Sequence, residues 1–178
     1  MSLSEPSGAD LLRLERAVRR AGSGLVADDL QGCWQLHQVW PKGSERPASV
    51  SAALLRGLAA RLEISSSPDG LMLRNAVTLG PLELCFQGPG WLKGVRPLLV
   101  FRFELLELQL AGRTLLRRPL PAPDPRRLPF FALIARDSSG WLAARGRGGG
   151  LALWRLAAAS DPAAPAAAAD PAAAAPSL

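Results

Sequence analysis

The chain has 178 residues, a formal net charge of +6 and a pI near 10.9. With 48% hydrophobic residues it is too apolar for a disordered protein and long enough for one domain with a real core. Two cysteines, Cys33 and Cys85, and one histidine, His37, exclude a disulfide framework and the usual zinc ligand set.

The start, MSLSEPSGADLL, has no basic stretch followed by an apolar run, so no secretory signal is expected. Residues Ala9 to Ala21 predict a helix. Leu11, Leu12, Leu14 and Val18 form its apolar stripe, Arg13, Arg16, Arg19 and Arg20 lie largely off it, Ser7 or Asp10 caps the start and Gly22 fits the stop. Short and heavily charged, it reads as a helix packed on a domain rather than one lying in a membrane surface. Cys33 to Trp40 predicts the first strand, with Trp34, Leu36 and Trp40 on one face and Gln35 and His37 on the other. Ser51 to Ala60 predicts a short internal helix around Leu54, Leu55 and Leu58.

Strands dominate from there. Leu62 to Ser65 runs into Ser67-Pro68-Asp69-Gly70, where proline presets one turn dihedral and glycine supplies a positive φ. Leu71 to Leu79 and Leu82 to Phe86 follow, with Gly88-Pro89-Gly90 as the next expected break. Leu98 to Leu110 alternates in two phases that meet at Leu105-Leu106, which predicts a β-bulge. Arg113 to Leu116, Phe130 to Ala135, Trp141 to Ala144 and Leu151 to Leu156 complete the set. Many short strands separated by turn signals predict a mainly β fold: a bent antiparallel barrel with an N-terminal helix and a short internal helix. The expected organisation is a helical segment over 1–30, a barrel over 31–156, and an Ala/Pro-rich disordered tail over 157–178. No apolar run approaches the ~20 residues of a membrane span, so a cytoplasmic or peripheral membrane protein is expected.

Arg145-Gly146-Arg147-Gly148-Gly149-Gly150 admits three readings: a phosphate cradle, an RGG-type nucleic-acid contact, or a bend between strands. A Walker loop needs Gly-Lys-Ser/Thr ahead of a helix, and Leu151 to Leu156 alternates instead. RGG contacts need repeats and disorder, whereas this loop lies between two apolar strands. A hairpin loop fits best, and no nucleic-acid partner is expected.

Catalytic chemistry is sparse. Asp137-Ser138-Ser139 has the composition of a turn, and Glu63, Glu83, Glu104 and Glu107 alternate with apolar residues as outward strand positions do. No catalytic residue, metal ligand or cofactor is therefore assigned, and an enzyme is not expected. The interior candidates are Trp34, Leu36, Trp40, Leu84, Phe86, Phe101, Phe103, Phe131 and Leu153, which either fill a small barrel or line a ligand cavity within it.

Two motifs carry a resemblance. Trp141-Leu142-Ala143-Ala144-Arg145-Gly146, with Gly148 to Leu153 after it, resembles the C-terminal motif of the plastid lipid-associated proteins (fibrillins) and their cyanobacterial relatives. Leu30-Gln31-Gly32-Cys33-Trp34-Gln35-Leu36 is similar to that family's first strand, whose Gly-x-Trp lipocalin-like barrels also carry. Gly32, Trp34, Arg145, Gly146 and Leu151 are the motif positions. The sequence departs from the family where Gly140 stands in place of an acidic residue. The resemblance implies a lipocalin-like barrel that binds an apolar small molecule (lipid, carotenoid or quinone) and associates with thylakoid membranes through an anionic lipid surface. It also implies a basic residue packed over Trp34, for which Arg145 is the first candidate and Arg155 the second. A bilin-binding lyase or chaperone of similar fold, and a ligand-free scaffold barrel, are the alternatives.

Overall fold

From Gly32 onward the period-two alternation becomes strand. The computed structural model describes residues 5–44, 46 and 60–157 and places ten strands among them. They are β1 (Gly32–Trp40), β2 (Arg61–Ser67), β3 (Gly70–Leu79), β4 (Leu82–Lys93), β5 (Leu98–Phe101), β6 (Leu105–Leu110), β7 (Arg113–Pro119), β8 (Phe130–Asp137), β9 (Trp141–Gly146) and β10 (Leu151–Leu156). All pair antiparallel, in the order β3-β2-β1-β10-β9-β8-β5-β4, and β4 pairs back onto β3. Eight strands thus close a barrel, while β6 and β7 continue from β4 as a hairpin flap. Closure removes the free edges of those eight strands, whereas β7 pairs on one side only, with β6. This is the mainly β barrel that the alternation predicts. The expected internal helix lies outside the described residues except for Ala60, as does the tail beyond Ala157.

Two expectations change in detail. Gly88-Pro89-Gly90 does not break the chain but lies inside β4. A Cβ at Gly88 would fall 1.9 Å from the carbonyl oxygen of Arg102, so only glycine admits that backbone. The bulge lies at residues 102–104 rather than at Leu105-Leu106. Gly90 opposes Phe101 and Gln87 opposes Leu105, leaving three residues against two. There the strand turns away from β8, which pairs with β5, and carries on as β6 beside β7.

One helix, α1 (Gly8–Ala21), lies across the outside of the barrel. Its N-terminus is a capping box. The Ser7 hydroxyl accepts from the Asp10 N–H at 3.2 Å, and the Asp10 carboxylate accepts from the Ser7 N–H at 3.0 Å. Leu11 and Val18 point at the sheet, and Glu15 is buried between them.

The sheet carries two cores. Inside the barrel, Trp34, Leu62, Ile64, Leu73, Leu133 and Leu142 pack together. On the outer face, beneath α1, Leu11 packs with Trp40, Ile134, Trp141, Leu151 and Leu153. A 3-10 turn over Ala27–Leu30 runs across one end of the barrel. Leu30 enters the inner core there, and its carbonyl accepts from Trp34 Nε1 at 2.7 Å. That buried indole and its hydrogen bond plug this end.

Candidate functional site

The structure separates the nine interior candidates into three groups. Leu36, Phe101, Phe103 and Phe131 line a cavity of about 270 Å³ inside the barrel, at the end away from the Trp34 plug. Val39, Val77, Ala152 and Trp154 add apolar wall, and Asn75 supplies a polar group. The aromatic side is a continuous run. Phe101 meets Phe103 at 5.2 Å and Phe131 at 5.3 Å between ring centroids, and Phe131 meets the edge of Trp154 at 5.3 Å. Offset and edge-on contacts of this kind hold rings in fixed positions.

Trp34, Leu84 and Phe86 face the barrel interior but do not line the cavity. Trp34 belongs to the plug. Leu84 pairs with Leu108 of the flap, and Phe86 stands behind Phe103 at 5.6 Å.

Trp40 and Leu153 are corrected outright: both lie in the outer core. The cause is a bulge in β1 between Leu36 and Gln38. The extra residue, His37, reverses the phase of the strand, so Val39 faces the cavity and Trp40 turns out toward α1. His37 Nε2 lies 2.7 Å from the Glu5 carboxylate, away from the cavity. In β10, Leu151 and Leu153 face out while Ala152 and Trp154 face in. A strand buried on both faces gives alternation no polar side to mark.

Arg145 is also corrected. It does not touch Trp34; it grips Glu15 of α1. Its Nε and Nη2 donate to the two carboxylate oxygens at 2.7 and 2.6 Å. Arg96 and Arg19 donate to the same carboxylate at 3.0 and 3.1 Å. Burial pushes the Glu15 carboxyl up, but hydrogen bonds and charge from Arg145 and Arg19 outweigh it and hold the group at about 2. The cation over Trp34 is Arg136, its guanidinium carbon 6.0 Å from the ring centroid. Arg155, the second candidate, pairs with Glu5 at 2.8 Å. Glu15 was missed in the sequence, yet its spacing marks it, because positions 11, 15 and 18 share one helix face.

The Gly-rich stretch is a hairpin loop. Gly146 N–H donates to the Gly150 carbonyl at 3.0 Å, and Gly149 adopts φ 88°, a conformation that suits glycine. Within it, Arg145 also donates to the Gly149 carbonyl. The motif position Gly32 has φ 134°, and a Cβ there would meet Leu156. Leu151, the last motif position, is buried in the outer core.

Charges on the outside of β2, β3 and β4 are satisfied among themselves. Arg61 donates to Glu63 at 2.8 Å and to Glu83 at 2.6 Å, and Arg74 donates to Glu63 at 2.8 Å and also to Glu83. Burial works against the Glu83 carboxylate, but Arg61 and Arg74 hold its pKa below the ordinary range. Burial pushes the Cys33 and Cys85 thiols up, away from the reactive thiolate. Among the described residues no three His, Cys, Asp or Glu side chains converge as a metal site requires, and no helix is long and apolar enough to cross a membrane. Compared with known proteins, the chain matches no family model, no curated protein and no solved structure.

Proposed function

We propose that this barrel binds the ring or chain end of an apolar small molecule (a lipid, a quinone or a carotenoid) and works at a membrane surface, as a protein of the plastid fibrillin type. The observation that carries this reading is the interior cavity. One end of the barrel is plugged by Trp34, and the space beyond it is walled by Phe101, Phe103, Phe131 and Trp154. Size limits the occupant. Apolar cavities of about 150 Å³ take up a benzene ring. At about 270 Å³ the cavity has room for a quinone ring or a short chain segment, and the rest of a long lipid lies outside. Asn75 offers an amide donor to a quinone carbonyl or a carboxylate. The Gly32-x-Trp34 and Arg145-Gly146 resemblance points to the same ligand class. The net charge of +6 favours anionic membranes, each Lys or Arg near the surface contributing about 1 kcal/mol.

The test is native mass spectrometry of the protein with decylplastoquinone, a fatty acid, a carotenoid and a bilin in turn. Saturable one-to-one binding of any of the first three, weakened by Phe103→Trp, is expected. Saturable binding of the bilin alone overturns the lipid reading in favour of a chaperone. No binding to an intact fold makes the protein a scaffold.

A further inference from the structure

We propose that a second cleft, on the outside of the barrel beside Arg147, binds an anionic amphiphile: a phosphate or carboxylate carried on an apolar chain. The cleft is lined by residues of β4, β5 and β8, together with the turn at 125–128 and the Gly-rich loop, and has a volume of about 540 Å³. That size is typical of small-molecule sites.

Its floor is unusual for an outer sheet face. Trp91 opposes Val100, Val100 opposes Phe130, and Leu98 lies two residues along β5. All four are half-buried, where an outward face normally carries polar residues. They make an apolar strip across three strands, and neighbouring strands lie about 4.8 Å apart. A hydrocarbon chain fits along such a strip.

The rim is cationic. Lys93, Arg96, Arg126 and Arg147 line the cleft, and no carboxylate does. Only Arg96 has a carboxylate partner, Glu15 at 3.0 Å, which it shares with Arg145 and Arg19. Lys93 and Arg126 have no ion pair among the described residues. Arg147 donates to the main-chain carbonyls of Leu128 at 2.9 Å and Arg126 at 3.4 Å. Those bonds fix the guanidinium in place without cancelling its charge. Asp124, close by in the chain, accepts from the Arg126 backbone N–H at 2.9 Å and caps the turn. Three uncompensated positive charges therefore surround an apolar floor, and a concave surface of one sign concentrates the opposite charge. The two arginines of Arg145-Gly146-Arg147 thus divide their work. Arg145 holds α1, and Arg147 holds the rim of this cleft.

Calorimetric titration with decyl phosphate below its micellar concentration tests the assignment, with inorganic phosphate, decanol and phosphatidylglycerol vesicles as further arms. The wild type is expected to bind decyl phosphate one to one and more tightly than inorganic phosphate or decanol. Lys93→Gln/Arg126→Gln should weaken binding about tenfold or more. Both side chains are exposed, so the thermal melt should stay unchanged. Phe103→Trp, which narrows the interior cavity, should leave decyl phosphate binding unaltered. The proposal is overturned if the double variant keeps wild-type affinity, if inorganic phosphate or decanol binds equally well, or if only vesicles bind. Sensitivity to Phe103→Trp alone would place the amphiphile inside the barrel, against this proposal and in support of the interior site.

Discussion

The inner and outer cores share β1, β8, β9 and β10 but are held by different means. The inner core is a plugged barrel, closed on itself by strand pairing and stoppered by Trp34. The outer core is a lid: one helix whose few apolar contacts are clamped by a buried carboxylate and three arginines. The inner face can therefore leave room for a ligand without loosening α1, and α1 can be perturbed without opening the barrel.

The largest break in this comparison should come from the plug. Trp34→Ala removes a fully buried indole and leaves the Leu30 carbonyl without its donor. A loss of about 3–5 kcal/mol is expected in a denaturant melt, with the 3-10 turn detached from the barrel. A loss below about 1 kcal/mol would show that the plug is not structural.

The clamp comes next. Glu15→Ala leaves Arg145 and Arg96 beneath α1 without their carboxylate and should cost on the order of 3 kcal/mol. Amide hydrogen exchange should rise in α1 and stay low in β3 and β4. The clamp also fixes a pH dependence. Glu15 sits at about 2 when folded against an ordinary 4.5, so its stabilisation is complete above about pH 4.5 and is lost as pH falls toward 2. Glu15→Gln should flatten that limb of the stability curve; an unchanged acid limb would assign it to other carboxylates.

Arg136 should have the smallest effect. It lies over Trp34 at 6.0 Å and is itself exposed, so Arg136→Ala should cost about 0.5–1 kcal/mol and shift the emission of Trp34. Arg145→Ala, by contrast, should act through α1.

The same comparison explains what the sequence made legible. The inner face of β2 and β3 alternates cleanly, since Leu62, Ile64, Leu71 and Leu73 face in while Glu63 and Arg74 face out. The barrel and the hairpin loop at 146–150 follow from that pattern and from glycine chemistry. Trp40 and Leu153 were misplaced because alternation assumes an unbroken phase and one polar face. His37 breaks the phase in β1, and α1 buries the second face of β10. The partner of Arg145 was hidden by distance: Glu15 lies 130 residues away in the chain. The cation over Trp34 follows a further bulge, between Leu133 and Ala135, which leaves Ile134 and Ala135 both on the outer face and so puts Arg136 opposite the inward-facing Leu142. In β8, where both faces of the strand are apolar, the extra residue leaves no mark in a pattern of apolar and polar positions.

One measurement bears most directly on a ligand cavity inside the barrel, separate from the core beneath α1. Decylplastoquinone is titrated against tryptophan fluorescence in the wild type, Trp154→Phe and Trp40→Phe. Trp154 lines the cavity, and Trp40 is buried on the opposite face of the sheet. Saturable quenching is expected in the wild type, largely lost in Trp154→Phe and kept in Trp40→Phe. Quenching that survives Trp154→Phe but disappears in Trp40→Phe, or no saturable quenching of a folded protein, would contradict the account.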